Sequence, residues 1–191
     1  AKAEALVGYG AEIVEIPRDL SSVDVLFTMV STGGDLEQVC FGEEGVMTGE
    51  VSPQILVDCS SIGANQSAAL REKLKQNKTD LLAAPVSGNG KCVKAGKLSS
   101  VVSGSKQAFD AVSDVIESYS VQGVSYVGEG ELARFCKIAH NVLLAVVTQN
   151  LAEITVLAEK AGISRHAFLS FINNSVIYRS SMHIMPITFK P

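Results

Sequence analysis

The sequence has no two cysteines at disulfide or metal-binding spacing, no cluster of lysine and arginine, no long uninterrupted apolar run and no initiator methionine. Each absence removes a class of protein. Cys40, Cys59, Cys92 and Cys136 stand far apart among apolar neighbours, which reads as the reduced thiols of a cytoplasmic protein. A net charge of -4 and a pI near 5.4 leave no face for nucleic acid. The longest apolar run, VLLAVV at 142–147, is far too short to cross a bilayer, so no membrane partner is expected. His140, His166 and His183 have no histidine four residues away, so no metal site is expected. No signal sequence is visible, and the true start of the chain is expected to be missing.

What is present describes a folded protein: 191 residues, 47% hydrophobic and 19% charged, enough for one large domain or two small ones. Residues 1–10 read as a helix end capped at Gly8 or Gly10, and 11–16 as a strand. Pro17 opens a short helical segment to Ser22. DVLFTMVS (24–31), QILVDCSS (54–61) and TDLLAAPVSG (79–88) are the apolar runs of parallel strands buried on both faces. Helices are expected from Gly34, over Asn65 to Lys78 and over Ser105 to Tyr119, with shorter strands at 97–104 and 124–128. Such alternation points to an α/β fold with a parallel sheet. From Glu131 the pattern changes to one helix reaching about Lys160, roughly 45 Å long. That is too long for a crossover. It reads as a bridge from a sheet domain over 1–128 into a helical domain over 129–191, begun by this helix and by another capped by Ser164. Both ends of the chain are expected to be truncated.

Lys137, His140 and Asn141 stand at i, i+3 and i+4 in the long helix and share one face. An almost wholly apolar stretch, Val142 to Val147, follows them, so the ammonium would lose hydration and its pKa would fall towards the range of a working proton donor. A surface lysine above a core helix explains the spacing equally well. Three loops at the expected C-terminal strand ends add weight: Met29-Val30-Ser31-Thr32, Asp58-Cys59-Ser60-Ser61 and Pro85-Val86-Ser87-Gly88-Asn89-Gly90. Open α/β sheets bind ligands at that edge, and hydroxyls and glycine backbone N–H groups suit an anion.

Other motifs fail on inspection. Gly90 to Lys97 resembles a phosphate loop, but its first glycine is out of register and Leu98 stands where Ser or Thr would hold magnesium. Gly128-Glu129-Gly130-Glu131-Leu132-Ala133 fits G-x-G-x-x-A, yet no return strand follows and Glu129 and Glu131 would repel a pyrophosphate. Its glycines are expected to turn the chain into the helix. A thiol hydrolase built on Cys136 and His140 lacks an oxyanion loop.

In order and rough spacing, the chain resembles the β-hydroxyacid dehydrogenase family, which includes 3-hydroxyisobutyrate dehydrogenases, glyoxylate/tartronate semialdehyde reductases and 6-phosphogluconate dehydrogenases. DVLFTMVS resembles the strand lining the cofactor's adenosine side, and DCSS the family's D-x-S-[ST] loop. APVSGNGKCVKAGKL resembles the substrate loop, and KIAHN the K-x-x-[NH]-N carrying the catalytic lysine. The resemblance implies a Rossmann-like domain, incomplete at its start, followed by helices. It implies hydride transfer between NAD or NADP and a small β-hydroxyacid or semialdehyde, with Lys137 as general acid/base, Asn141 orienting and His140 assisting. Ser60, Ser61, Ser87, Gly88 and Asn89 would hold the substrate, and Met29, Val30 and Ser31 would touch the dinucleotide. Homo-oligomers, dimeric or tetrameric, are also implied. The chain departs from the family pattern in four ways. The opening G-x-G-x-x-G and the residue that selects NAD or NADP are absent, and Asn89 replaces a glycine. Arg134 stands where the lysine is more usual; because a guanidinium keeps its proton, Arg134 is assigned to positioning. Imine reduction on the same fold and a non-catalytic dinucleotide-binding scaffold are the rival readings.

Overall fold

The computed structural model describes residues 3–175. They form two compact units, one ending at Ala139 and the other starting at His140.

The first unit opens with a single turn, α1 (Glu4–Val7), which stops at Gly8. Residues 11–16 form no strand, against expectation. Ile13 and Val14 remain exposed, and a strand lasts only where its N–H and C=O groups meet another strand. After a 3-10 turn, Pro17–Leu20, come β1 (Val25–Thr28) and α2 (Gly33–Phe41). A reciprocal cap starts α2: Thr32 Oγ1 accepts from Asp35 N at 3.1 Å, and Asp35 Oδ2 accepts from Thr32 N at 2.9 Å. Then follow β2 (Ile55–Asp58), α3 (Ala64–Gln76) and β3 (Asp80–Ala83).

The strands β1, β2 and β3 are parallel and lie in that order. Successive residues of β2 point to opposite faces. Leu56 packs in a cluster with Leu36, Leu70 and Leu74, whereas Ile55 and Val57 join one with Val102, Val112 and Ile116. Burial on both faces is why these strands read as continuous apolar runs.

The single strand expected over 79–88 is two. It breaks after Ala83, because Pro85 has no N–H for the ladder. β4 (Val86–Ser87) follows, then α4 (Gly90–Lys94), β5 (Ser99–Val102), α5 (Lys106–Tyr119) and β6 (Val124–Tyr126). β4 pairs antiparallel with β5, which corrects the all-parallel expectation, and β5 pairs parallel with β6. A bridge between Ala83 and Ser103 links the two three-stranded sheets.

α6 (Leu132–Lys160) starts in the first unit and runs unbroken into the second, so the division falls inside the helix and not at residue 129. α7 (Arg165–Asn174) is capped by Ser164, whose Oγ accepts from Ala167 N at 3.2 Å. By length and composition α6 could cross a membrane, since its apolar character holds over an 18-residue window. The six-residue run VLLAVV understated this, because isolated polar residues such as Gln149 and Asn150 interrupt the run without ending the helix. The tail with His183, Pro186 and Pro191 lies outside the described residues.

Candidate active site

The loops after β1, β2 and β3 leave the same edge of the first sheet, as its parallel register requires. At the end of β2 stands Asp58, a carboxylate with no exposed surface. A buried charge must be paired, and Asp58 is. Its Oδ2 accepts from Arg134 Nη2 at 2.5 Å, and its Oδ1 from Thr28 Oγ1 at 2.8 Å and from Ser60 Oγ at 2.7 Å.

Ser60, expected to hold substrate, is buried with its hydroxyl committed elsewhere. It donates its proton to Asp58, and its oxygen accepts from Val30 N at 2.9 Å. This corrects the expectation: Ser60 ties the β1 loop to the β2 loop. Ser61, the next residue, is exposed and presents the available hydroxyl of the pair.

Arg134 is also fully buried. Besides Asp58 it donates to Ser60 O at 2.6 Å and to Ser67 Oγ at 3.2 Å. Glu131, expected to repel phosphate, is instead almost buried and neutralised by Arg71 at 2.7 Å. Arg71 also donates to Gly130 O at 2.9 Å and to Leu81 O. The helix start is further fixed by Ser103 Oγ, which donates to Gly130 O at 2.8 Å and accepts from Ala133 N at 2.9 Å. Apart from the positioning role given to Arg134, sequence reasoning missed this network. A lone acid closing the apolar run ILVD was the available signal.

Lys137 lies one helical turn beyond Arg134, so the two share a face. Its side chain is partly buried, and burial pushes its pKa below the ordinary 10.5. Among the described residues it makes no hydrogen bond or ion pair. His140 and Asn141 follow on α6 in the second unit, with His140 Nδ1 and Asn141 Oδ1 at 3.2 Å.

In the third loop, Ser87 ends β4 and is half-buried. Gly88 has φ +139°, and a Cβ there would lie 2.5 Å from Leu98 Cδ2 and 2.9 Å from Cys92 Cβ. Only glycine suits both the torsion and the space. Asn89 caps α4, its Oδ1 accepting from Lys91 N at 3.0 Å and Cys92 N at 3.2 Å, so only its amide NH2 can serve a ligand.

Met29 and Ser31 are exposed at the end of β1, and Val30 is half-buried. Beside them an apolar trough of about 310 Å³ is lined by residues including Pro17, Leu20, Phe27, Met29 and Val30. Those residues fit an apolar ring face of a dinucleotide. The turn at Gly128 and Gly130 is held by Arg71, which donates to Gly130 O at 2.9 Å and pairs with Glu131 at 2.7 Å.

Among the described residues no cluster of three histidine, cysteine or acidic side chains could hold a metal. The Cys40 thiol is pushed up to about 12, mainly by burial, and Cys59 is raised for the same reason, so neither is a nucleophile.

The chain is similar in sequence and in fold to known oxidoreductases. The chain is 28% identical, over 99% of its length, to 2-hydroxy-3-oxopropionate reductase of Escherichia coli. Its fold matches Mycobacterium tuberculosis 3-hydroxyisobutyrate dehydrogenase, solved with L-serine, at a TM-score of 0.79 over 91% of the chain with 23% identity. It also matches an imine reductase from Pseudomonas sp. at a TM-score of 0.76 over 96% of the chain with 16% identity. The chain spans 66%, 59% and 62% of those three proteins respectively. Residues 1–128, more than half of the chain, match the family described as the NAD binding domain of 6-phosphogluconate dehydrogenase, and the chain belongs to that family.

Proposed function

We propose that the protein is an NAD(P)-dependent oxidoreductase acting on a small β-hydroxyacid or its semialdehyde, with Lys137 as general acid/base. One observation carries the reading. A partly buried ammonium, without a counterion among the described residues, follows by one turn the arginine bound to the Ser60 carbonyl. Such a group can give its proton to a carbonyl oxygen during reduction and take one from a hydroxyl during oxidation. When bound, the dinucleotide supplies the hydride acceptor or donor.

The chain's own residues do the rest in this reading. Ser61, Ser87, Gly88 and the Asn89 amide hold the substrate's carboxylate and hydroxyl groups, and Met29, Val30 and Ser31 hold the dinucleotide. His140 and Asn141 keep the assisting and orienting roles that the sequence resemblance implies. The protein works as a homo-oligomer. The names of the sequence relatives, a 2-hydroxy-3-oxopropionate reductase and a 3-hydroxyisobutyrate dehydrogenase, each 28% identical, support this substrate class.

The test is NADH- and NADPH-dependent turnover of a semialdehyde panel by the intact protein and by Lys137→Ala. Turnover lost in the variant supports the reading; equal turnover by both removes Lys137 from the chemistry. The fold shared with an imine reductase motivates a second panel of cyclic imines. Turnover of imines alone, insensitive to Lys137, would favour that reading, and inertness on both panels a binding scaffold.

A further inference from the structure

We infer that Arg134 is a positioning residue that locks the turn of α6 carrying Lys137 to the loops after β1 and β2. The inference rests on the proposed role of Lys137 and extends it. Three acceptors converge on this one guanidinium. It reaches Asp58 Oδ2 at 2.5 Å and Ser60 O at 2.6 Å after β2, and Ser67 Oγ at 3.2 Å in α3. Asp58 passes the restraint to β1 through Thr28 Oγ1 at 2.8 Å, and Ser60 Oγ passes it to Val30 N at 2.9 Å. From the other side Arg71 grips Glu131 and the Gly130 carbonyl. The opening turn of α6 is therefore held on two sides by alternating charges, Arg71, Glu131, Arg134 and Asp58.

Stability alone does not account for such a group. A buried ion pair is often no better than apolar residues of equal volume, because desolvation cancels the attraction. A guanidinium with donors in a rigid fork does supply direction: three acceptors at fixed angles leave one orientation for the residue bearing it. Lys137 inherits that orientation at i+3. Val30, on the cofactor side, is tied to the same fork through Ser60.

The experiment compares the intact wild-type protein with Arg134→Lys, Ser60→Ala and the double variant. NADH and NADPH affinity is read by fluorescence, kcat and KM with a semialdehyde, and Tm by melting. Arg134→Lys keeps a charge opposite Asp58 and loses the fork; it is expected to lower kcat about tenfold or more and to weaken dinucleotide binding. Ser60→Ala removes the link to Val30 and the hydrogen bond to Asp58 Oδ1 but leaves Arg134 bound to Asp58 Oδ2 and to the Ser60 carbonyl; it is expected to weaken dinucleotide binding about threefold to tenfold and to lower kcat less than Arg134→Lys does. The double variant is expected to bind dinucleotide no more weakly than Arg134→Lys, because both changes break one chain of contacts. A lowered Tm with kcat and affinity unchanged, or losses of affinity that multiply, overturns the inference. If Arg134→Lys does not fold, Asp58→Asn takes its place with the same expected outcomes. Absence of turnover by the wild type would sink the dehydrogenase reading alone, since dinucleotide affinity still decides the coupling between Arg134 and Ser60. Absence of dinucleotide binding by the wild type overturns both.

Discussion

An ammonium partly withdrawn from water holds its proton less tightly than a solvated one, and Lys137 is in that position through burial. In the proposed mechanism, reduction needs the proton on Lys137 and oxidation needs it off. The kcat/KM for reduction is therefore expected to fall as pH rises through a value below 10.5, and that for oxidation to rise through the same value. Paired pH profiles in the two directions check this, and profiles that do not mirror each other count against Lys137. In Lys137→Ala the shared inflection is expected to vanish and turnover to fall about 10²- to 10⁴-fold. Stability carries a matching sign. A lysine whose folded-state pKa is depressed costs stability at every pH below that value, and the cost disappears as pH rises to the unfolded value. Lys137→Met is accordingly expected to raise Tm at neutral pH, with the gain fading towards pH 10.5. Melting curves at several pH values test it, and a Tm lowered at neutral pH would contradict it.

The same scale shows where sequence reasoning stopped. The helical period alone puts Lys137 on a face with His140 and Asn141, and the continuous helix α6 bears out that spacing. The inward turn of Ser60 was not legible, because its oxygen meets Val30, 30 residues away, and the Arg134 that binds Asp58 lies 76 residues away. Glu131 misled for the same reason, since the Arg71 that neutralises it is 60 residues distant.

Among the elements, the stretch 85–98 carries three of the residues proposed to hold the substrate, Ser87, Gly88 and Asn89. Gly88 is pinned by torsion and by Leu98 and Cys92, so Gly88→Ala must move the loop or the residues beneath it. The expected cost is about 1–3 kcal/mol, as for other residues forced into strained backbone or crowded space. Thermal melting and kcat/KM should fall together; a variant with unchanged kcat/KM would remove this loop from the site. Here the apolar pattern found the strand but not its break: Pro85 was read as part of a strand, whereas its missing N–H ends the ladder and frees the chain to return antiparallel. Residues 11–16 show the converse, a β-branched pattern with no ladder to join. The helices were easier, because caps such as Ser105 and Ser164 and an apolar stripe are local features.

For the molecule as a whole, the notable surface is on α6 within the second unit. Leu143, Ile154 and Leu157 are 49%, 45% and 67% exposed, and offsets of 11 and 14 residues, roughly three and four turns, put them on one stripe. Water against such a stripe is unfavourable at about 25 cal/mol per Å² of apolar surface, which favours association. Either another protein surface or a bilayer could relieve it, and the two differ in what they demand of the rest of the helix. A spanning segment of about 20 residues taken from α6 would have to bury Gln149 and Asn150 in hydrocarbon, where polar groups are costly; a subunit interface can leave them at its wet rim. The expected outcome is therefore self-association: light scattering on the intact protein should give a mass above one chain. Leu143→Glu combined with Ile154→Glu should lower that mass, while lipid vesicles should carry down neither form. A monomeric wild type would remove the homo-oligomer from the proposal, and co-sedimentation with vesicles would reassign the stripe to a membrane.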